Sequence, residues 1–247
     1  MKNDYYWESV PRRVRDHAQQ LVDGLQEAAE DDLVGVIVHG SAARGDFEPE
    51  HSDVDVVIVL ARSSRAVLER MGNALALARS SARIEAMILV EPEIARAADV
   101  FPLFYEEIKA FHAVLFGRDP FADLVISTEH RRLRIEQELR EIQIRLRRAV
   151  ADARGDRDLV LGAIKRKAKQ LSFPLRALLE LLGVKTKHKP DIVIARAGKR
   201  FKLDTVPIMR ADEDPDAAYD ALVVLLGRAI EEADRLEPAP SIPHKDA

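Results

Sequence analysis

The stretch His39-Gly40-Ser41-Ala42-Ala43-Arg44-Gly45-Asp46, followed shortly by Ser52-Asp53-Val54-Asp55-Val56-Val57-Ile58-Val59-Leu60, decides how the rest of the chain is read. An apolar run from Leu33 to Val38 leads into Gly40-Ser41. A residue without a side chain permits a tight turn and lets the backbone approach a ligand, while a Ser hydroxyl and neighbouring N–H groups can hold phosphate oxygens. Asp53 and Asp55 follow twelve positions after Ser41 and are two apart, a spacing that puts both carboxylates on one face of a strand. Val54, Val56 and Ile58 alternate with them, so the segment is otherwise sheet core. Like charges held together in such a strand call for a compensating divalent cation.

A third carboxylate lies in the next apolar run, Arg83-Ile84-Glu85-Ala86-Met87-Ile88-Leu89-Val90, where Glu85 comes beside the Asp strand if the two strands are neighbours. Glu91 and Glu93 flank Pro92 beyond that run and read as turn residues. Three carboxylates on adjacent strands can hold two metal ions, roughly 3.5–4 Å apart, which clamp the attacking and leaving oxygens of an in-line displacement at phosphorus.

Working outward, Leu33–Val38, Val54–Leu60 and Ile84–Val90 are expected to be strands, and Ala113–Phe116, closed by Gly117, a fourth. Residues 12–30 and 65–79 have the composition of helices. After residue 128 the period changes: Ile135, Leu139, Ile142, Leu146 and Ala149 form the stripe of a long helix ended by Gly155. A second stripe runs Ile164, Ala168, Leu171, Leu175, Leu178, Leu182, kinked at Pro174 and stopped at Gly183. A third comprises Leu222, Leu225, Ala229, Ala233 and Leu236, starting after the acidic stretch Asp212–Asp216. The expected architecture is therefore α+β: a mixed-sheet domain with flanking helices over residues 1–126, a helical-bundle domain over 127–236, and a disordered, proline-rich tail over 237–247.

These residues resemble the nucleotidyltransferase superfamily of the DNA polymerase beta type, whose signature is Gly-Ser, a spacer of about ten residues, Asp-x-Asp, and a third acid on a later strand. Within it the chain is most similar to the streptomycin/spectinomycin adenylyltransferases, in which a helical domain follows the sheet domain and the third acid's strand resembles Ile84–Val90. The resemblance implies Asp53 and Asp55 as Mg²⁺ ligands, Glu85 as third ligand or general base toward the acceptor hydroxyl, and Gly40 and Ser41 as holders of the β- and γ-phosphates of ATP or another NTP. Arg44, inside the loop, joins Gly40 and Ser41 as a nucleotide-binding candidate; it departs from the aminoglycoside enzymes, although similar Arg-Gly endings occur elsewhere in the superfamily. It also implies basic residues of the helical domain at the triphosphate, with Lys185, Lys187 and Lys189 the first candidates and Lys165, Arg166, Lys167 and Lys169 behind them.

Composition bounds the alternatives. The 247 residues are 47% apolar, enough for a core without staples, and 38 Lys and Arg against 42 Asp and Glu give a net charge of −4, which argues against a uniformly basic nucleic-acid coat. The chain has no cysteine, so disulfide scaffolds, thiol catalysis and iron–sulfur clusters are excluded. Its start has no apolar signal region and no run reaches membrane-span length, so a cytoplasmic location is expected. The histidines at 17, 51, 112, 130, 188 and 244 show no zinc-binding spacing, and His39 at the strand end is a minor candidate for orienting the loop.

The charge is unevenly spread. Residues 129–189 carry 17 Lys and Arg against 8 Asp and Glu, a net +9, leaving the remainder with 21 against 34, a net −13. For Arg131–Arg148 the preferred reading is a solvated helix face. Only Phe173 supplies an aromatic ring to residues 129–189, which gives little support to single-stranded nucleic-acid binding. The expected activity is transfer of AMP from ATP to a hydroxyl of a small molecule such as an aminoglycoside, with pyrophosphate released. That reading implies a role in antibiotic resistance. The rivals are transfer to a protein or RNA acceptor, as in toxin–antitoxin systems, and an NTP-binding regulator without turnover. Acceptor, base preference and oligomeric state leave no mark in the sequence.

Overall fold

The computed structural model describes residues 4–236 and separates into two compact units, Met1–Ile126 and Ser127–Ala247. The expected tail over 237–247 lies outside the described residues. In the first unit the elements follow in the order α1 (Asp4–Ser9), α2 (Arg12–Ala29), β1 (Leu33–His39), α3 (Ser41–Arg44), β2 (Val54–Leu60), α4 (Arg65–Ala82), β3 (Ile84–Val90), α5 (Glu91–Arg96), α6 (Pro102–Ala110) and β4 (Ala113–Gly117). The sheet order is β3-β2-β1-β4. β1 runs antiparallel to both β2 and β4, while β2 and β3 are parallel and joined by the crossover helix α4.

Strand parity sorts the side chains into two cores. Val36 and Val38 of β1 with Val54, Val56, Ile58 and Leu60 of β2 pack beneath α2 and α4, whose Leu21, Leu25, Val67 and Met71 are buried there. Ile37, Val57 and Val59 point to the other face and meet Ile94, Tyr105, Ile108 and Phe121. Because helices cover both faces, β2 is buried almost throughout and reads as a continuous apolar run. Asp55 alone interrupts it, on the Val57 face.

The second unit is helical: α7 (Thr128–Ala153), α8 (Arg157–Leu181), α9 (Pro190–Phe201), α10 (Val206–Met209) and α11 (Pro215–Asp234). Its core is the expected stripes, with Ile135, Leu139, Ile142 and Leu146 meeting Ile164, Leu171, Leu175 and Leu178 of α8 and Leu222, Leu225, Ala229 and Ala233 of α11 in burial. The longer helices start on side-chain caps: Ser127 accepts from the Glu129 N–H, Asp156 from Asp158 and Leu159, and Asp214 from Asp216 and Ala217. Pro174 lies buried inside α8 and does not end it.

The basic run on α7 is matched along its own helix. Arg132 pairs with Glu136, Arg134 with Glu138, Arg140 with Glu136, Arg145 with Glu141 and Arg148 with Asp152, all four residues apart. Arg140, Arg145 and Arg148 lie on an exposed face, as the sequence suggested, whereas Arg132 and Arg134 are part-buried with their glutamates. No helix among the described residues is long and apolar enough to cross a membrane.

Four short elements differ from the sequence reading for one reason. α5, α6, α9 and α10 each carry Pro in the first turn, where the missing N–H costs nothing and the fixed φ favours the helix. Pro92 therefore begins a helix rather than a turn, with Glu91 and Glu93 in its first turn. Among the caps, Asp156→Ala should cost the helical unit about 1 kcal/mol, read as a lower midpoint in urea denaturation followed by circular dichroism.

Candidate active site

The end of the sheet is built by register. β1 stops at His39 just where β2 begins, and pairing places His39 opposite Asp55; the parallel pairing of β2 with β3 then places Asp55 opposite Glu85. The three side chains form one row on the face that carries Val57 and Leu89. Asp53 precedes β2, is exposed, and lies near enough for its charge to act on Asp55.

The turn after β1 is pressed against this row. Gly40 has φ +66°, a backbone conformation that L side chains rarely adopt, and a Cβ there would collide with the Asp55 carboxylate. The chain then winds into the single turn α3. The Ala43 and Arg44 N–H groups bond back to the Gly40 carbonyl, and those of Gly45 and Asp46 to the Ser41 carbonyl. The Ser41 side chain is half-buried at the head of this turn.

Arginines answer the acidic row. Arg79, at the end of α4, lies 3.1 Å from Glu85 Oε1, and Arg83 Nε lies 3.6 Å from Asp53 Oδ1. Arg83 also donates to the carbonyls of Pro49, Glu50 and Ser52 at 3.1, 2.9 and 2.7 Å, fastening the loop that delivers Asp53. Arg44 pairs with Glu107 of α6 and lies 3.3 Å from Asp46 Oδ1.

Burial pushes the Asp55 carboxyl above its ordinary pKa; Arg44 draws it down, and Asp53, Glu107 and Glu85 push it up again. His39 moves the other way. Burial, then the charge of Arg44 and the neighbouring His112 ring, lower its pKa to about 4, so the imidazole is neutral at physiological pH. Its ring meets Phe104 edge to face with centroids 5.6 Å apart. It is a packed strand-end residue, held from α6.

The structure thus brings together Gly40, Ser41, Asp53, Asp55 and Glu85, and places Arg44 behind the turn. Lys185, Lys187 and Lys189 belong to the second unit, where all three are exposed between α8 and α9. Lys165 there is engaged with Asp212 at 2.6 Å and Lys167 with Gln170 at 2.9 Å. Glu107 and Phe104 escaped the sequence reading because α6 did; Pro102 at its start was the available signal.

Asp53 and Asp55 fit a hard divalent cation in donor type and in the mutual repulsion that a cation relieves. Glu85 fits only after leaving Arg79, and among the described residues no three His, Asp or Glu side chains gather closely enough to share one ion.

A row of carboxylates beside a glycine-started turn, on a mixed sheet, is the arrangement expected of an enzyme that works at phosphorus. The family model described as nucleotidyltransferase domain matches residues 19–150, just over half of the chain, and includes every residue of the row and turn. The chain belongs to that family and is an enzyme of the nucleotidyltransferase type. Among solved structures, spectinomycin adenyltransferase AAD(9) from Enterococcus faecialis, with ATP and spectinomycin, is similar at a TM-score of 0.51 over 90% of this chain and 99% of that one, at 10% identity. The fold is thus shared while the sequences have parted. No curated protein matches the chain.

The depressed His39 has a sign that can be checked. Its neutral form contributes stability fully present above the unfolded value near 6.5 and lost as pH falls toward about 4. The loss amounts to something on the order of 3 kcal/mol by that shift. Unfolding measured from pH 7 to pH 4 should fall less steeply in His39→Gln than in the wild type.

Proposed function

We propose that the protein transfers AMP from ATP to a hydroxyl of a small molecule of the aminoglycoside kind, releasing pyrophosphate. The observation that carries this reading is the in-register row of Asp55 and Glu85, with Asp53 beside it, set against the Gly40-Ser41 turn. Two sets of groups are needed at a phosphoryl centre: donors that hold the non-reacting phosphates and acids that manage charge and the proton. The turn supplies the first and the row supplies the second.

In this reading the backbone of Gly40-Ser41 and the Ser41 hydroxyl grip the β- and γ-phosphates. Asp53 and Asp55 would hold Mg²⁺, which when bound supplies neutralisation of the triphosphate. Glu85, once released from Arg79, accepts the proton of the acceptor hydroxyl as that oxygen bonds to the α-phosphorus and the bond to pyrophosphate breaks. The neutral His39 adds no further charge behind the turn. Support for ATP and a small-molecule acceptor comes from the similar fold of the adenyltransferase crystallised with ATP and spectinomycin. The i,i+4 pairing of α7 works against an RNA surface there, since those arginines are already matched.

Pyrophosphate release, measured with Mg²⁺ and each of the four NTPs against a panel of aminoglycosides and bulk RNA, tests the proposal. Release with ATP and one aminoglycoside is expected, falling at least 100-fold in Asp53→Asn, since the positioned carboxylate is part of the electrostatic machinery. Glu85→Gln should lower kcat about 100-fold or more while moving the KM for ATP little, as expected of a proton acceptor. Release only with RNA, or none with any acceptor, would overturn the assignment of a small-molecule acceptor.

A further inference from the structure

The Gly40–Asp46 turn is held at two points. At its start, Gly40 leans on Asp55 with no room for a side chain. At its end, Arg44 reaches α6, a helix that contributes nothing to the carboxylate row. The guanidinium pairs with Glu107, 63 residues away in sequence, and on its other side approaches both oxygens of Asp46, at 3.3 and 3.4 Å. The Arg44 and Glu107 side chains are only 18% and 16% exposed, so the pair is largely out of water.

Such a contact is an improbable resting place for a phosphate ligand. This arginine is committed to a carboxylate on a different helix and to the residue that closes the turn. A half-desolvated Arg–carboxylate pair has directional hydrogen bonds and a strong preference for one geometry, and losing one partner leaves the other charge stranded. Those properties suit a tether. The same helix also buttresses the other end of the turn: Phe104, one helical turn before Glu107, sits edge to face on His39, the residue immediately before Gly40. Phe104 and Glu107 are three apart and share a helix face, so α6 grips the turn on both sides.

Building on the nucleotidyl-transfer reading, we propose that Glu107 is a positioning residue: through its ion pair with Arg44 it fixes the Gly40–Asp46 turn over the carboxylate row, and Arg44 serves as the tether rather than as a phosphate ligand. The pair also sets the local field, because the charges of Arg44 and Glu107 both reach the Asp55 carboxyl and act on it in opposite directions. With the pair intact the turn's donors meet the phosphates without a search. With it broken, the turn must be ordered by the nucleotide itself, which weakens binding more than it slows the chemistry.

Two readouts test this. Amide hydrogen exchange on the ligand-free protein requires no nucleotide, so its result is independent of the reaction assigned above. Glu107→Ala should raise exchange at least tenfold at the Ala43, Arg44, Gly45 and Asp46 amides, which bond back to Gly40 and Ser41, while the buried strand amides of β1 and β2 keep wild-type protection. Glu107→Asp should restore part of that protection, and Glu107→Gln, which keeps a hydrogen bond but not the charge, should fall between. In turnover, Glu107→Ala should raise the KM for the nucleotide at least tenfold with kcat changed less than threefold. Unchanged exchange at the four turn amides, or a rise shared equally by the β1 and β2 amides, would overturn the tether and leave Glu107 an ordinary packing residue. Exchange as expected with no turnover by the wild type would leave the tether standing and overturn the reaction.

Discussion

A half-buried carboxylate, Asp55, at the mouth of the sheet is the constraint around which the first unit is arranged. Asp55 is set in a strand that is otherwise apolar on both faces, opposite Glu85 and close to Asp53, with its carboxylate against a glycine that has no room to retreat. Nothing in the packing of β2 needs an acid there; a valine would continue the core. The cost is visible in the direction of the Asp55 pKa, raised first by burial and further by its acidic neighbours. Sites that trade stability for charge in this way are where chemistry is done.

The rest of the first unit surrounds the acids with arginines. Arg79 stands by Glu85 from the end of α4, Arg83 by Asp53 from the residue that follows, and Arg44 within the turn. Arg79, exposed at the end of α4, is free to leave Glu85 without disturbing the sheet, whereas Arg83 and Arg44 also fasten the loop and the turn on either side of the row. The backbone, by contrast, is rigid: the row is set by strand register, and the turn by the φ of Gly40 and its bonds to Ser41. The scaffold is thus fixed by backbone, while the charge around Glu85 is set by a surface arginine.

Much of this was legible in the sequence because it is local. The spacing of Asp53 and Asp55 gives their shared face through strand parity alone, while Glu85 stands opposite Asp55 only because the fold pairs Val54 with Ile84 in parallel register, which the sequence leaves conditional on the two strands being neighbours. The helical stripes were equally plain, since Ile135, Leu139 and Ile142 or Leu222, Leu225 and Ala229 repeat at the period of their own burial. What was hidden is non-local or read with the wrong sign. Beside Pro92 the sequence suggests a turn, yet Pro92 opens a helix, as do Pro102 and Pro190, which carry no sequence reading, and without α6 the sequence offers neither Glu107 nor Phe104 as a site residue. No spacing rule links Arg44 to a glutamate 63 residues on; only the folded chain puts them together. Arg44 accordingly looked like a phosphate ligand while its guanidinium is engaged elsewhere.

The measurement that bears most directly on the acidic row is thermal unfolding of Asp55→Asn beside the wild type at neutral pH, alone and with Mg²⁺ and ATP. An aspartate whose folded pKa is raised contributes stability at low pH that is lost as pH rises through that pKa, so its ionised form weighs against the fold at neutral pH. The account predicts that Asp55→Asn melts above the wild type without ligand and gains nothing from Mg²⁺ and ATP, while the wild type is stabilised by them. A variant that melts below the wild type and is still stabilised by Mg²⁺ and ATP would contradict it.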